Sequence, residues 1–426
     1  MTDLAPSDRL EPQGWMIAAP VAHVMEALSG GGHPARFVGG CVRDALIGRP
    51  VRDIDIATPE PPENVMRLLE AAGIRAIPTG LKHGTVTAVS EGQPFEITTL
   101  RVDAETDGRW ARVEFTEDWR TDARRRDFTM NALYCDPDGA IYDPAGGVDD
   151  LRAGCVRFIG EASARLAEDY LRLLRFFRFS AWYGKGTPDE TGLAACRAAA
   201  PHLPELSGER VWQELSRLLT APDPAPTLAL MTAQGIQPHL LPIEGTEQMD
   251  ADRVTAMATV EENYQAAPDA IRRLAAWLSA ALDGDDKKKQ DSVRKVSSRL
   301  VHSNQERARL RNLLLPEYRP GADISAAENR KILYWLGDAS AFIDLVLYRW
   351  ALNGGDNTAW GTTADLPLTD PPPAFPLGGD DVMALGIAPG PRVGELLAAV
   401  EEWWVDRDFA DDPDALRERL GALAAG

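Results

Sequence analysis

The spacing of apolar positions changes near residue 150. Before that point apolar residues come in short runs: Arg36-Phe37-Val38 ends at the pair Gly39-Gly40, residues 51–57 alternate polar with apolar, and 85–89 and 95–100 are rich in β-formers. Helical spacing over 64–72 separates these strands. Beyond 150 the apolar positions recur every three to four residues, and the pattern predicts long helices, the first over 162–183. Proline-rich breaks at 221–226 and 370–373 mark boundaries. The expected fold class is therefore α+β. A small N-terminal head with a mixed β-sheet, on 1–150, precedes a helical neck on 151–226, a helical body on 227–365 and a helical tail on 366–426. There is no internal repeat.

Composition narrows the class without naming a function. The 426 residues are 44% hydrophobic and 26% charged, and no stretch approaches the ~20 uninterrupted apolar residues of a membrane span. No membrane association and no obligate protein partner is expected. The first residues lack a basic stretch followed by an apolar one, and the four cysteines show no CxxC spacing, so a reducing cytoplasm is the expected compartment. Forty-five basic against 65 acidic residues leave a net charge of −20, which at first argues against a polyanionic partner. The balance is uneven, however. Residues 287–311 carry nine basic side chains against Asp291 and Glu306, whereas 380–420 carry eleven acidic against four basic. The basic run is either a backbone-binding surface for nucleic acid or a solvated helix face.

Chemistry first shows in Gly39-Gly40-Cys41-Val42-Arg43-Asp44, followed by Asp53-Ile54-Asp55. In a strand, residues two apart share a face, so Asp53 and Asp55 are expected to point the same way and to repel. A divalent cation removes that cost, since Mg²⁺ takes one or two carboxylates and completes its shell with water and phosphate oxygens. The glycine pair before a helix offers backbone N–H groups to phosphate, with Arg43 one turn further in. Glu96, on a neighbouring strand, is either a third acidic ligand or a surface glutamate paired to an arginine.

The run GGCVRDALIGRPVRDIDIAT resembles the signature of the DNA polymerase β-like nucleotidyltransferases, in particular the class II tRNA CCA-adding enzymes and bacterial poly(A) polymerases. The resemblance implies a palm-like nucleotidyltransferase head in which Asp53 and Asp55 hold two catalytic Mg²⁺ ions. Four further segments are similar to family motifs in the same order. Arg124-Arg125-Arg126-Asp127-Phe128-Thr129-Met130-Asn131 resembles the ribose and triphosphate motif, implying nucleotide contacts from Arg126 and Asp127 with Asn131 in support. Residues 143–151 resemble a glycine-containing hinge, and 208–215 an ERxxxE bracing motif.

The fourth segment, Glu168-Asp169-Tyr170-Leu171-Arg172-Leu173-Leu174-Arg175, matches the family's nucleotide-selecting EDxxRxxR helix. On one continuous helix Glu168, Asp169, Arg172 and Arg175 would share a face opposite Leu166, Tyr170, Leu173, Leu174 and Phe177. An ion pair between Asp169 and Arg172 alone would be worth only ~0.2–0.5 kcal/mol. Read as a template, Asp accepts from an exocyclic amine and Arg donates to the adjacent ring nitrogen. Cytosine and adenine both present that pattern and uracil and guanine do not, so the pair admits C and A. The resemblance adds Arg175 and Arg178 to the nucleotide contacts. Residues 102–110, with a DGR core, resemble the flexible loop of full CCA-adding enzymes. Tyr170 and the acidic C-terminal part favour CCA addition over poly(A) addition, the alternative activity. The implied partners are tRNA, CTP and ATP. Trp403-Trp404 is either a base-stacking or a helix-packing pair.

Overall fold

The computed structural model describes residues 4–107, 110–282, 285–410 and 412–425, with the backbone alone for 103–107 and 110–112. Residues 108 and 109 of the expected flexible loop lie outside the described residues. The chain divides into two compact units: Met1–Ala221 with Ala233–Leu240, and Pro222–Thr232 with Leu241–Gly426.

The first unit is built on an eight-stranded sheet. Its strands are β1 (Asp8–Arg9), β2 (Arg36–Val38), β3 (Asp55–Thr58), β4 (Arg75–Gly80), β5 (Thr85–Ser90), β6 (Gln93–Thr99), β9 (Tyr134–Cys135) and β10 (Ala140–Tyr142), in the order β1-β10-β9-β2-β3-β6-β5-β4. The strands β7 (Arg101–Asp107) and β8 (Trp110–Phe115) form a separate antiparallel ladder. Strand β6 shows how the pattern folds: Phe95, Ile97 and Thr99 are buried while Glu96 faces solvent, the period of two that a half-buried strand requires. Helix Pro62–Ala71 buries Val65, Leu68 and Leu69, spaced three and four apart, against the head. A core of Val38, Ala57, Leu100, Trp119, Tyr134 and Tyr142 lies under the central strands.

Two expected elements are shorter than their patterns suggest. The strand expected over 51–57 is confined to Asp55–Thr58, so Asp53 sits two residues ahead of it. Strand β3 pairs in parallel with β6, Asp55 opposite Glu96. In that register position 53 falls opposite Pro94, which has no N–H to donate. The helix expected over 162–183 is two helices, Ala162–Glu168 and Leu171–Tyr183, separated by Asp169 in an extended conformation at φ −159° and ψ 105°. An aspartate prefers to bond nearby backbone rather than continue a helix, and here its Oδ1 accepts the Leu171 N–H at 3.1 Å. The glycines of the hinge-like segment have a packing role: a Cβ on Gly147 would meet the Thr129 carbonyl oxygen at 2.1 Å.

The second unit is helical. At its centre Glu261 pairs with Arg272 and Arg273, and Asp344 with Arg272 and Arg309, all but Arg309 buried. The basic run divides between helices Asp286–Arg299 and Asn304–Leu314. Much of its charge is already paired: Arg309 bonds Asp344 and Asp269, and Arg294 and Lys295 both reach Asp291. In helix Pro391–Asp406, Trp404 is buried against Phe375 and Phe409, and the half-buried Trp403 lies beneath the guanidinium groups of Arg407 and Arg419. That is packing for both rings.

Candidate active site

A cavity of about 440 Å³ opens in the first unit, and the separate motifs of the sequence meet there. Gly39, Gly40 and Arg43 come from the turn after β2 and the helix Gly40–Leu46 that follows. Gly39 has φ +70°, a conformation open to glycine at no steric cost, and its position lets the chain turn sharply from strand into helix. Asp55 enters from the start of β3; Arg126, Asp127 and Asn131 from the segment before β9; Asp169, Arg172 and Arg175 from the two neck helices. Three expected site residues do not line this cavity: Asp53, Glu96 and Arg178.

The acidic end carries uncompensated charge. Burial pushes the Asp55 carboxyl up to about 6, and the like charges of Glu96 and Asp53 add to the effect against Arg126 and Arg43. Glu96 is exposed on β6 opposite Asp55, close enough for its charge to act on that carboxyl. Among the described residues no three His, Cys, Asp or Glu side chains converge into a closed metal cage. Asp55 on the cavity wall, with the charges of Asp53 and Glu96 close enough to be felt, is an open donor set of the kind that suits Mg²⁺, which takes one or two carboxylates and keeps positions for water and substrate.

The basic side chains are held by partners that the sequence did not single out. Asp122, buried, accepts from Arg125 at 2.8 Å, Arg126 at 3.0 Å and the Tyr134 hydroxyl at 2.7 Å. Burial raises its pKa, but the two guanidinium groups and the hydroxyl outweigh burial and hold the carboxyl at about 2. Arg165 reaches the carbonyls of Arg125 and Arg126, the latter at 3.0 Å, joining helix Ala162–Glu168 to the arginine motif. The signal for Asp122 was its place three and four residues ahead of Arg125 and Arg126 on one helical turn.

Asp127 lines the cavity, and its carboxylate is held by protein partners. Its carboxylate accepts from Arg175 at 2.7 Å and Asn131 at 2.9 Å, and although burial opposes it, these contacts depress its pKa. Asn131 in turn accepts from Arg43 at 2.6 Å. Asp44 holds Arg43 from the other side, and the Tyr183 hydroxyl donates to Asp44 at 2.9 Å. Arg178 is turned away: its Nε lies 2.9 Å from Glu214 and its guanidinium over the Phe179 ring. Burial lowers its pKa to about 10 despite that glutamate.

Asp169 and Arg172 do not pair with each other. Asp169 caps Leu171 and accepts from Arg210 at 2.7 Å, whereas Arg172 donates to Glu168 at 2.5 Å and to the Arg165 carbonyl at 2.8 Å. The break between the helices thus leaves a carboxylate and a guanidinium side by side on the cavity wall, each with capacity for further hydrogen bonds.

The comparisons with known proteins agree with this geometry. Residues 35–157 match the family described as the poly A polymerase head domain, and 187–244 match one described as a probable RNA and SrmB-binding site of polymerase A. The mouse protein named mitochondrial CCA tRNA nucleotidyltransferase 1 is 34% identical over 399 residues, covering 90% of this chain and 86% of the relative. The chain belongs to the CCA-adding tRNA nucleotidyltransferase family. A second member, the CCA-adding enzyme of Streptococcus sanguinis, is 30% identical over 96% of this chain and 98% of its own length. The crystal structure of the Bacillus stearothermophilus CCA-adding enzyme in complex with CTP superposes with a TM-score of 0.76 at 28% identity, covering 96% of this chain and 98% of that one. The α+β class, with a sheet-bearing head and a helical remainder, is that of the family. Nucleotidyl transfer in this family implies divalent-metal dependence. No helix among the described residues is long and apolar enough to cross a membrane, and the relatives include mitochondrial proteins.

Proposed function

We propose that the chain adds C, C and A to the 3′ end of tRNA from CTP and ATP, releasing pyrophosphate, with protein side chains choosing the base. The observation that carries this reading is that one cavity is lined by a glycine turn with Arg43, by the Asp55 carboxylate and by the Asp169/Arg172 pair. Phosphate cradle, metal end and base-reading wall are thereby within the span of one nucleotide.

Asp55, with Asp53 and Glu96 beside it, would hold two Mg²⁺ ions, which when bound acidify the attacking 3′-hydroxyl and neutralise charge on the departing pyrophosphate. The remaining work belongs to the chain. Arg43 and Arg126, fixed by Asp44, Asn131 and Asp122, present guanidinium groups to the triphosphate without reorganising when it arrives. Asp169 accepts the exocyclic amine of cytosine or adenine and Arg172 donates to the neighbouring ring nitrogen. Uracil and guanine would leave both groups facing like partners. Arg175 positions Asp127 and the cavity wall, and Arg178 braces Glu214. The four cysteines are free, with Cys41, Cys135 and Cys196 buried, which supports a reducing compartment such as the cytoplasm.

Labelled CTP and ATP supplied with a tRNA lacking its 3′ end test this directly. The expected product is tRNA extended by CCA, and Asp55→Ala is expected to abolish extension while the fold persists. Wild-type turnover in Asp55→Ala, or long A tails made on unrelated RNA from ATP alone, would overturn the reading.

A further inference from the structure

The helical unit contains a second cavity, of about 320 Å³, between helices Ala251–Asn263 and Ala339–Asn353 and the end of Asn304–Leu314. Four cationic side chains converge on it from distant parts of the chain, Arg253, Lys289, Arg319 and Arg349, and no acidic residue lines it. In a protein of net charge −20 this is a local cluster of basic side chains.

The two guanidinium groups on the helices are fixed. Arg349 donates to the carbonyls of Arg319 at 2.5 Å and Pro320 at 2.8 Å and meets Asp323 at 3.2 Å. Arg253 donates to the Ser279 hydroxyl at 2.7 Å and lies 3.4 Å from Asp250. Lys289 and the exposed Arg319 form no ion pair among the described residues, so their charge is available. The opposite wall is apolar, with buried Leu313 and Leu345 beside the ring of Tyr348.

We propose that this cavity is a phosphate-binding pocket that takes one nucleotide, its phosphoryl group among the four cations and its sugar or base against the leucine and tyrosine wall. Arginine and lysine side chains held in advance around a cleft bind phosphoryl oxygens through charge-assisted hydrogen bonds. Inorganic phosphate would leave the apolar wall unused, and the volume is too small for a nucleic-acid helix but admits a single nucleotide. The nucleotide comes either free in solution or as part of an RNA strand. The second source rests on the RNA-processing reading above; the first does not.

The full chain is compared with the double variant Lys289→Glu, Arg319→Glu, whose sites are at the surface, after an unchanged melting temperature shows both fold alike. Labelled tRNA lacking its 3′ end is titrated by fluorescence anisotropy without CTP or ATP, across a range of salt, and AMP binding is measured by calorimetry. If RNA supplies the nucleotide, tRNA binding weakens about tenfold near 0.1 M salt and the salt slope falls by roughly two, one for each cation removed. If it is free, wild type shows one more saturable AMP site than the variant, which keeps only the site in the Asp55 cavity, and tRNA affinity stays as it was. Equal tRNA and AMP binding by both proteins overturns the proposal. So does a loss just as large in Lys289→Arg, Arg319→Lys, which keeps the charge. A wild-type chain that fails to extend tRNA would remove the CCA-adding reading, yet AMP binding would still report on the pocket.

Discussion

At the scale of single residues, the acidic and basic ends of the active site are set against each other by burial. Asp55 has its carboxyl raised to about 6 by burial and by Glu96 and Asp53. A raised acid binds more protons in the folded than in the unfolded chain between its ordinary value of 3.8 and 6, so the fold loses stability as pH rises through that window and stays penalised above it. Asp55→Asn is therefore expected to raise the melting temperature in EDTA at pH 7.5, by about 1–3 kcal/mol of stability; an unchanged or lower midpoint would contradict the assignment. By the same logic divalent-metal affinity should fall as pH drops through about 6. Asp122 behaves in the opposite sense. With its carboxyl held at about 2 by Arg126, Arg125 and Tyr134 against burial, it contributes stability that is complete above 3.8 and disappears as pH falls towards 2. Asp122→Asn should cost about 3–5 kcal/mol in denaturant titrations at pH 7, because two guanidinium groups lose their buried partner.

At the scale of elements, two close approaches decide where the chemistry sits. Gly147 lies against the Thr129 carbonyl with room for no side chain. Gly147→Ala must displace backbone of the 3-10 turn Thr129–Asn131, and a loss of at least ~2 kcal/mol, read as a fall in melting temperature, is expected. The second is the break at Asp169. Periodicity made 162–183 one helix because Leu166, Tyr170, Leu173 and Phe177 keep step across it, and apolar spacing says nothing of a polar residue that leaves the helix to cap the next one. Strands β2, β5 and β6 were legible since each has β-rich residues bounded by turn formers, whereas β3 was overdrawn because its limit is set by Pro94 on another strand. The cavity residues were legible where their motif is local. The partners that hold Asp127 and Arg178 were not, because each lies tens of residues away, Arg175 and Glu214.

At the scale of the molecule, each unit carries its own buried polar centre. In the helical unit, Glu261 accepts from both Arg272 and Arg273. Glu261→Gln leaves those buried guanidinium groups short of charge and should destabilise that unit by about 3–5 kcal/mol. Calorimetry is expected to show an early transition for the helical unit, while CTP still raises the melting point of the first; one cooperative transition shifted as a whole would refute separate melting. In the first unit a chain of hydrogen bonds and ion pairs runs Tyr183, Asp44, Arg43, Asn131, Asp127, Arg175, Glu214. Its consequence concerns how such proteins can be recombined. A chimera that imports only the segment 168–183 from a distant relative would cut this chain at Asp44, Asp127 and Glu214 together, so a graft that keeps the network whole must carry every residue from Arg43 to Glu214.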